Sequence, residues 1–218
     1  MLINSHSLKE FSFKVTIILL FINLFLVNGV LAQPWDFVKE KDGIKIYTRI
    51  EPNNSLKSFK GEAIFHAPAE KVCAMLGNAK NTDWWDKGIS DIKELAYEEN
   101  KFVQYYLVYN MPWPLTNRDL VAETRITTDP VTDDRSFTAK PLADVVPEKS
   151  NLVRIRNYRQ TWTVQPMDKG DVHVTLEGFI DPGGNIPAWF YNLVIAETPW
   201  RAIHSLRERA LSAKPAIK

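Results

Sequence analysis

A single cysteine stands in the whole chain, Cys73. One thiol cannot pair within its own chain, so no internal disulfide staples the fold. It lies in AEKVCAMLG beside Val72, Met75 and Leu76, where a cysteine behaves as a small buried hydrophobe. An excess of either charge is missing too. Lys and Arg number 27 against 26 Asp and Glu, whereas a nucleic-acid partner would favour a basic surplus. No nucleic-acid binding is expected. Catalytic fingerprints are absent: there is no GxSxG, HExxH, P-loop or GxGxxG. His66, His173 and His204 are scattered without metal-ligand spacing. Neither a metal nor a cofactor is expected, and no catalytic residue is assigned. Asp83 and Asp86 flank Trp84 and Trp85, but no second reactive group stands near them in sequence. That segment reads as a loop that packs its rings and solvates its acids. No period of about 20 to 50 residues repeats, and no low-complexity linker divides the chain.

What the chain does have begins with one long hydrophobic run. Lys9 and Lys14 precede VTIILLFINLFLV (15–27), and NGVLAQ follows, with Val30 and Ala32 at the small-residue positions before a cut. The run has signal-peptide length and is short for an uncleaved membrane anchor. Residues 1–32 are therefore expected to be an export signal cleaved after Ala32, giving a periplasmic or secreted protein that begins at Gln33. Residues 33–218 are expected to form one domain, since the chain is too short for two comfortable ones. Hydrophobic residues at 45% and charged residues at 24% argue against disorder.

Strand signals dominate the mature chain. DGIKIYTRI and SLKSFKGEAIFHA read as two strands, the second with Phe59, Ala63 and Phe65 on one face. APAEKVCAMLGN (67–78) reads as a short helix, with Pro68 near its first turn and Gly77 near its end. About six more strands follow, the first pair joined by a hairpin turn at Asn100. DPGGNIP then makes a turn. A long terminal helix carries Ile186, Phe190, Leu193, Trp200, Ile203, Leu206 and Ala210 as its apolar stripe, and Pro199 predicts a kink or break within it. The order gives an α+β protein, a curved antiparallel sheet with helices against one face.

One stretch, YNMPWPLTNRDLV (109–121), poses a question of charge. Alternation puts Arg118 on a face with Leu120, Ala122, Thr124 and Ile126, and Asp119 on the other with Val121, Glu123 and Arg125. The first set is the more apolar, so Arg118 is expected inside and Asp119 nearer water. A buried guanidinium needs an internal carboxylate, a set of backbone carbonyls, or an anionic group on a ligand. Glu62, Asp86 and Glu177 are the carboxylate candidates, and the residues alone leave all three solutions open.

Four features together bring a resemblance. They are NTDWWDKGISDIKEL after the short helix, FVQYYLVYNMPWPLTNRDLVAETR with its Asn-Arg-Asp element, RIRNYRQTWTVQP, and GFIDPGGNIPAWFYNLVIAETPW before the terminal helix. In this order they resemble the StAR-related lipid transfer (START) domain, over nearly all of 34–214, and most closely its phosphatidylcholine-carrying members. The short exported form looks bacterial. The resemblance implies a helix-grip fold, in which an incomplete antiparallel barrel grips the terminal helix around a hydrophobic tunnel. It further implies non-catalytic binding, and transfer, of one lipid by a monomer that meets a membrane surface transiently. The lipid would be a phospholipid, a sterol or similar. It places Arg118 at a lipid headgroup, with Tyr106, Tyr109, Trp113, Trp85, Ile186, Phe190 and Leu193 lining or closing the tunnel. Pro199 and the Gly183–Gly184 turn would let the helix move, and Trp189 or Trp200 would dock on the bilayer. Two other readings remain open on the same scaffold: a cyclase- or hydrolase-like enzyme acting on a hydrophobic substrate, and an interaction module with a collapsed cavity.

Overall fold

The computed structural model describes residues 33–80, 82, 84–85, 88–142 and 145–212. The expected export signal, Asp83 and Asp86 lie outside the described residues. The chain runs β1 (Asp36–Lys41), β2 (Ile44–Ile50), β3 (Lys57–His66), α1 (Ala69–Leu76), β4 (Ile89–Glu98), β5 (Phe102–Tyr109), β6 (Arg118–Thr128), β7 (Arg135–Pro141), β8 (Val153–Arg154), β9 (Asn157–Pro166), β10 (Asp171–Asp181), α2 (Ala188–Ile195) and α3 (Thr198–Leu211). Nine strands form one sheet in the order β1-β2-β3-β10-β9-β7-β6-β5-β4, each pair antiparallel, and the two-residue β8 adds to β6 in parallel. The result is the expected α+β helix-grip: a curved antiparallel sheet closed by the C-terminal helices.

Alternation explains the concave face. Phe59, Ala63 and Phe65 of β3, Val172, Val174 and Leu176 of β10, and Trp162 and Val164 of β9 are all buried in one core with Ile203, Leu206 and Ala210 of α3. Gly61 lets the helix come this close. A Cβ built there would stand 2.7 Å from the Pro199 Cβ and 2.8 Å from the Ile203 Cδ1, so any side chain at 61 would push α3 off the sheet. The short helix α1 falls where expected, between Pro68 and Gly77. It buries Cys73, and that burial pushes the thiol up to about 11. Asn100 turns the β4–β5 hairpin with φ +57°.

Three features differ from the expectation. β1 is a strand that the pattern did not reveal. It sits at the sheet edge with nearly every residue exposed, so no hydrophobic alternation marks it. The terminal helix is two helices, and the break falls at Ala196–Glu197, upstream of Pro199. Pro199 sits in the first turn of α3, where its missing N–H costs nothing. In a continuous helix that N–H would be owed to the Ile195 carbonyl, so the helix ends there. The third difference is a strap. Leu142, Val146 and Leu152 pack on Tyr106, Val108 and Val121, making a second small core on the outer face of β5 and β6.

Candidate ligand cavity

Between the concave sheet face and the two C-terminal helices lies a cavity of about 490 Å³. It is well above the ~300 Å³ at which ligand pockets usually begin, so the sheet has not collapsed on its helices. Val103, Leu107, Phe137, Leu176, Phe190 and Ile195 give it a largely apolar wall. A chain of rings forms one side. Trp84 meets Trp85 and Trp162 edge-on, with centroids 6.1 and 5.9 Å apart, and Trp85 meets Tyr105 at 5.6 Å. Polar groups also gather on the wall. The Tyr158 hydroxyl donates to Gln160 Oε1 at 2.6 Å, and Tyr105 bonds with Thr124 and Tyr158. Burial pushes both phenols above their usual range, so they stay neutral hydrogen-bonding groups. Among the described residues no group of three or more side chains could hold a metal ion.

At one end of this wall stands Arg118, 3% exposed. Its guanidinium donates to three backbone carbonyls: Nε to Pro182 at 3.2 Å, Nη2 to Gly183 at 3.2 Å, and Nη1 to Thr116. The Asp-Pro-Gly-Gly turn supplies two of them because Gly183 and Gly184 take φ +62° and +67°, a conformation that favours glycine. No carboxylate among the described residues pairs with Arg118. Glu62 serves Tyr47 and Lys60, and Glu177, paired across the sheet with Lys60 of β3, alternates to the outer face. Burial alone draws the guanidinium below its usual pKa, yet an arginine remains charged.

Asp119 overturns its expectation. It is buried deeper still, at 1% exposure. Arg154 of β8 grips it with two bonds of 2.9 Å and also holds the Val146 and Pro147 carbonyls. The strap has covered the outer face that alternation assigned to water. Both charges of the pair are therefore buried, on opposite faces of β6: Asp119 with a full counter-charge, Arg118 with carbonyls only among the described residues.

The START domain profile matches residues 25–210. The chain belongs to the START domain family. A STAR-related lipid transfer protein fragment from Xanthomonas axonopodis superposes with a TM-score of 0.75 at 28% identity, covering 83% of this chain and all of that one. An uncharacterised Pseudomonas aeruginosa protein is 28% identical over 188 residues, 85% of this chain and 91% of its own. The phosphatidylcholine transfer protein of Rattus norvegicus is 28% identical over 172 residues, 75% and 78% of the two chains.

This START domain brings Arg118, Tyr109, Trp85, Ile186 and Phe190 together on the cavity wall. Three residues expected there lie elsewhere. Tyr106 alternates to the outer face of β5, under the strap and beneath the Lys149 ammonium at 4.7 Å; Tyr105 takes its place inside. Trp113 is 93% exposed, because the loop turns Pro112 and Leu115 inward instead. Leu193 is 69% exposed: once α2 is a separate helix, Phe190, Tyr191, Val194 and Ile195 form its inner side and Leu193 points away. Trp200 does not stand free to dock, since Lys41, Asp42 and His204 hold its ring. Tyr158, Gln160 and Trp162 went unremarked as cavity residues. The alternation in NYRQTWTVQ carried that signal, every second residue of β9 facing inward.

Proposed function

We propose that this START domain binds one phospholipid, with its acyl chains in the cavity and its phosphate at Arg118, and exchanges it with a membrane. Arg118 carries the reading. It is a buried cation at the end of an apolar cavity, matched among the described residues by carbonyl dipoles alone, and an anionic headgroup supplies the counter-charge that they do not. A neutral sterol would leave that charge uncompensated. The phosphatidylcholine transfer protein and lipid transfer protein among the relatives support the same ligand class. Each methylene withdrawn from water contributes about 0.8 kcal/mol, so release requires contact with a bilayer. Trp113 and Trp189, the latter 72% exposed, stand on the two segments whose neighbours Pro112, Leu115, Ile186 and Phe190 line the cavity. These exposed rings are the surface that meets the membrane. The hydrophobic run at 15–27 supports export, and the same preparation tests it: intact mass is expected to give Gln33 as the first residue, and retention of residues 1–32 would count against cleavage.

The test is native mass spectrometry of protein purified from its own host, followed by lipid extraction. A stoichiometric phospholipid is expected, and a folded Arg118→Leu variant is expected to lose it. A neutral lipid retained by that variant would overturn the reading.

A further inference from the structure

Hydrogen-bonding groups in the cavity wall are unevenly matched. The tyrosine cluster is closed on itself, with the Tyr158 hydroxyl on Gln160 and Tyr105 on Thr124 and Tyr158. The Asn78 and Asn110 side-chain oxygens already accept, one from the Lys80 amide and the other from Ser90 and Asn117. What remains is of the opposite sense. Trp84 Nε1 and Trp85 Nε1 are buried without an acceptor among the described residues, although both indoles form part of the cavity wall. Arg118 has engaged three N–H groups of the five it carries. The Tyr191 hydroxyl, which lies against the Ile180 backbone, can act in either sense. A wall with surplus donors fits a ligand rich in acceptors and poor in donors.

Depth narrows the chemistry. Trp85 packs on Tyr105, four positions along β5 from Tyr109, the cross-strand partner of Arg118. At roughly 3.3 Å per residue, that row lies about 13 Å further along the strand than the row of Arg118. A headgroup held by Arg118 does not extend there. The oxygens that a phospholipid carries inward of its phosphate are the acyl-ester carbonyls, which accept and cannot donate.

We infer that Trp84 and Trp85 are specificity-determining residues whose Nε1–H groups donate to acyl-ester carbonyls, making the cavity selective for ester-linked over ether-linked lipids; this rests on the phospholipid reading above. Both nitrogens are buried from the cavity surface, so the indoles turn toward the lipid as it seats.

The experiment compares dipalmitoyl phosphatidylcholine with its dihexadecyl ether analogue, which has the same headgroup and chain length but no carbonyls. Each competes with a fluorescent phospholipid for the full chain. Wild type is expected to prefer the ester by about five- to thirtyfold, the worth of one to two net hydrogen bonds. Trp84→Phe and Trp85→Phe each reduce that ratio, and the double variant brings it close to one. Equal affinity in wild type, or a ratio intact in both variants, overturns the assignment. Where a variant does not fold, the wild-type ratio decides. Equal, Arg118-dependent binding of both lipids would remove this inference and leave the phospholipid reading standing. Uptake of neither lipid would remove both.

Discussion

Arg118 and Asp119 are neighbours with opposite solutions to the same problem. A charge taken out of water must find a partner, and its desolvation costs several kcal/mol when it does not. Asp119 has one inside the protein, and the geometry is good: two parallel bonds to Arg154, whose other N–H groups reach carbonyls of the strap. Removing one member should therefore be worse than removing both. Asp119→Asn is expected to lower stability by about 3 kcal/mol, because it leaves the Arg154 charge buried and uncompensated. Replacing both residues by leucine should cost less than the single change. Urea unfolding of the two variants decides this; equal losses would mean that the pair acts through packing alone. The effect reaches the cavity as well, since Gly183 lies against Val153, with 3.1 Å between its would-be Cβ and the valine methyl. The strap that Asp119 anchors thus backs the turn whose carbonyls hold Arg118.

The two C-terminal helices are attached very differently. The β1–β2 hairpin fastens α3: Lys39 pairs with Glu197, the Lys41 ammonium lies 3.4 Å above the Trp200 ring, Trp200 Nε1 donates to Asp42, and Arg207 donates to the Asp42 carbonyl. The helix α2 is tied by Asn192, which bonds the Lys57 amide at 2.8 Å and the Ser55 carbonyl at 2.9 Å. Although Tyr191 and Ile195 seat α2 in the core, its fewer polar ties lead us to expect that α2 alone moves as the lid, between the Gly183–Gly184 turn and the break at Ala196–Glu197. Hydrogen exchange should show residues 188–195 losing protection on phospholipid vesicles while 200–210 keep theirs. Equal loss across both helices would show that the whole C-terminal segment lifts as one. Much at this scale was legible beforehand: the inward rows of β3 and β6, the hairpin at Asn100 and the Gly-Gly turn all follow from local spacing. The misses have two causes. β1 and the covered face of Asp119 depend on what packs from a distance, and no local period encodes that; the break before Pro199 is a local signal whose reach goes back to Ile195, and the outward Leu193 follows from it. The strap over Asp119 arrives about 30 residues downstream, too far for alternation in β6 to register it.

The unit of residues Pro34–Lys218 is a sheet curved around an apolar cavity. A protein with an apolar cavity of about 490 Å³ gains stability from its ligand by mass action. Delipidated protein should unfold at lower denaturant than loaded protein, with the gap reaching about 2.7 kcal/mol at a free phospholipid concentration one hundred times Kd. Titration followed by urea unfolding measures it, and no shift on adding phospholipid would count against the carrier reading. The ring chain on the wall has a further consequence. Trp84 touches both Trp85 and Trp162, and all three line the cavity, whereas Trp113 and Trp189 stand in solvent. Once the half-buried Trp35 and Trp200 are replaced by phenylalanine, intrinsic emission is expected to show two separable groups: a blue-shifted one that responds to occupancy of the interior and a red-shifted one that responds to contact with a bilayer. Such a variant would serve as its own two-channel optical sensor, timing the proposed loading against the proposed docking without any attached label.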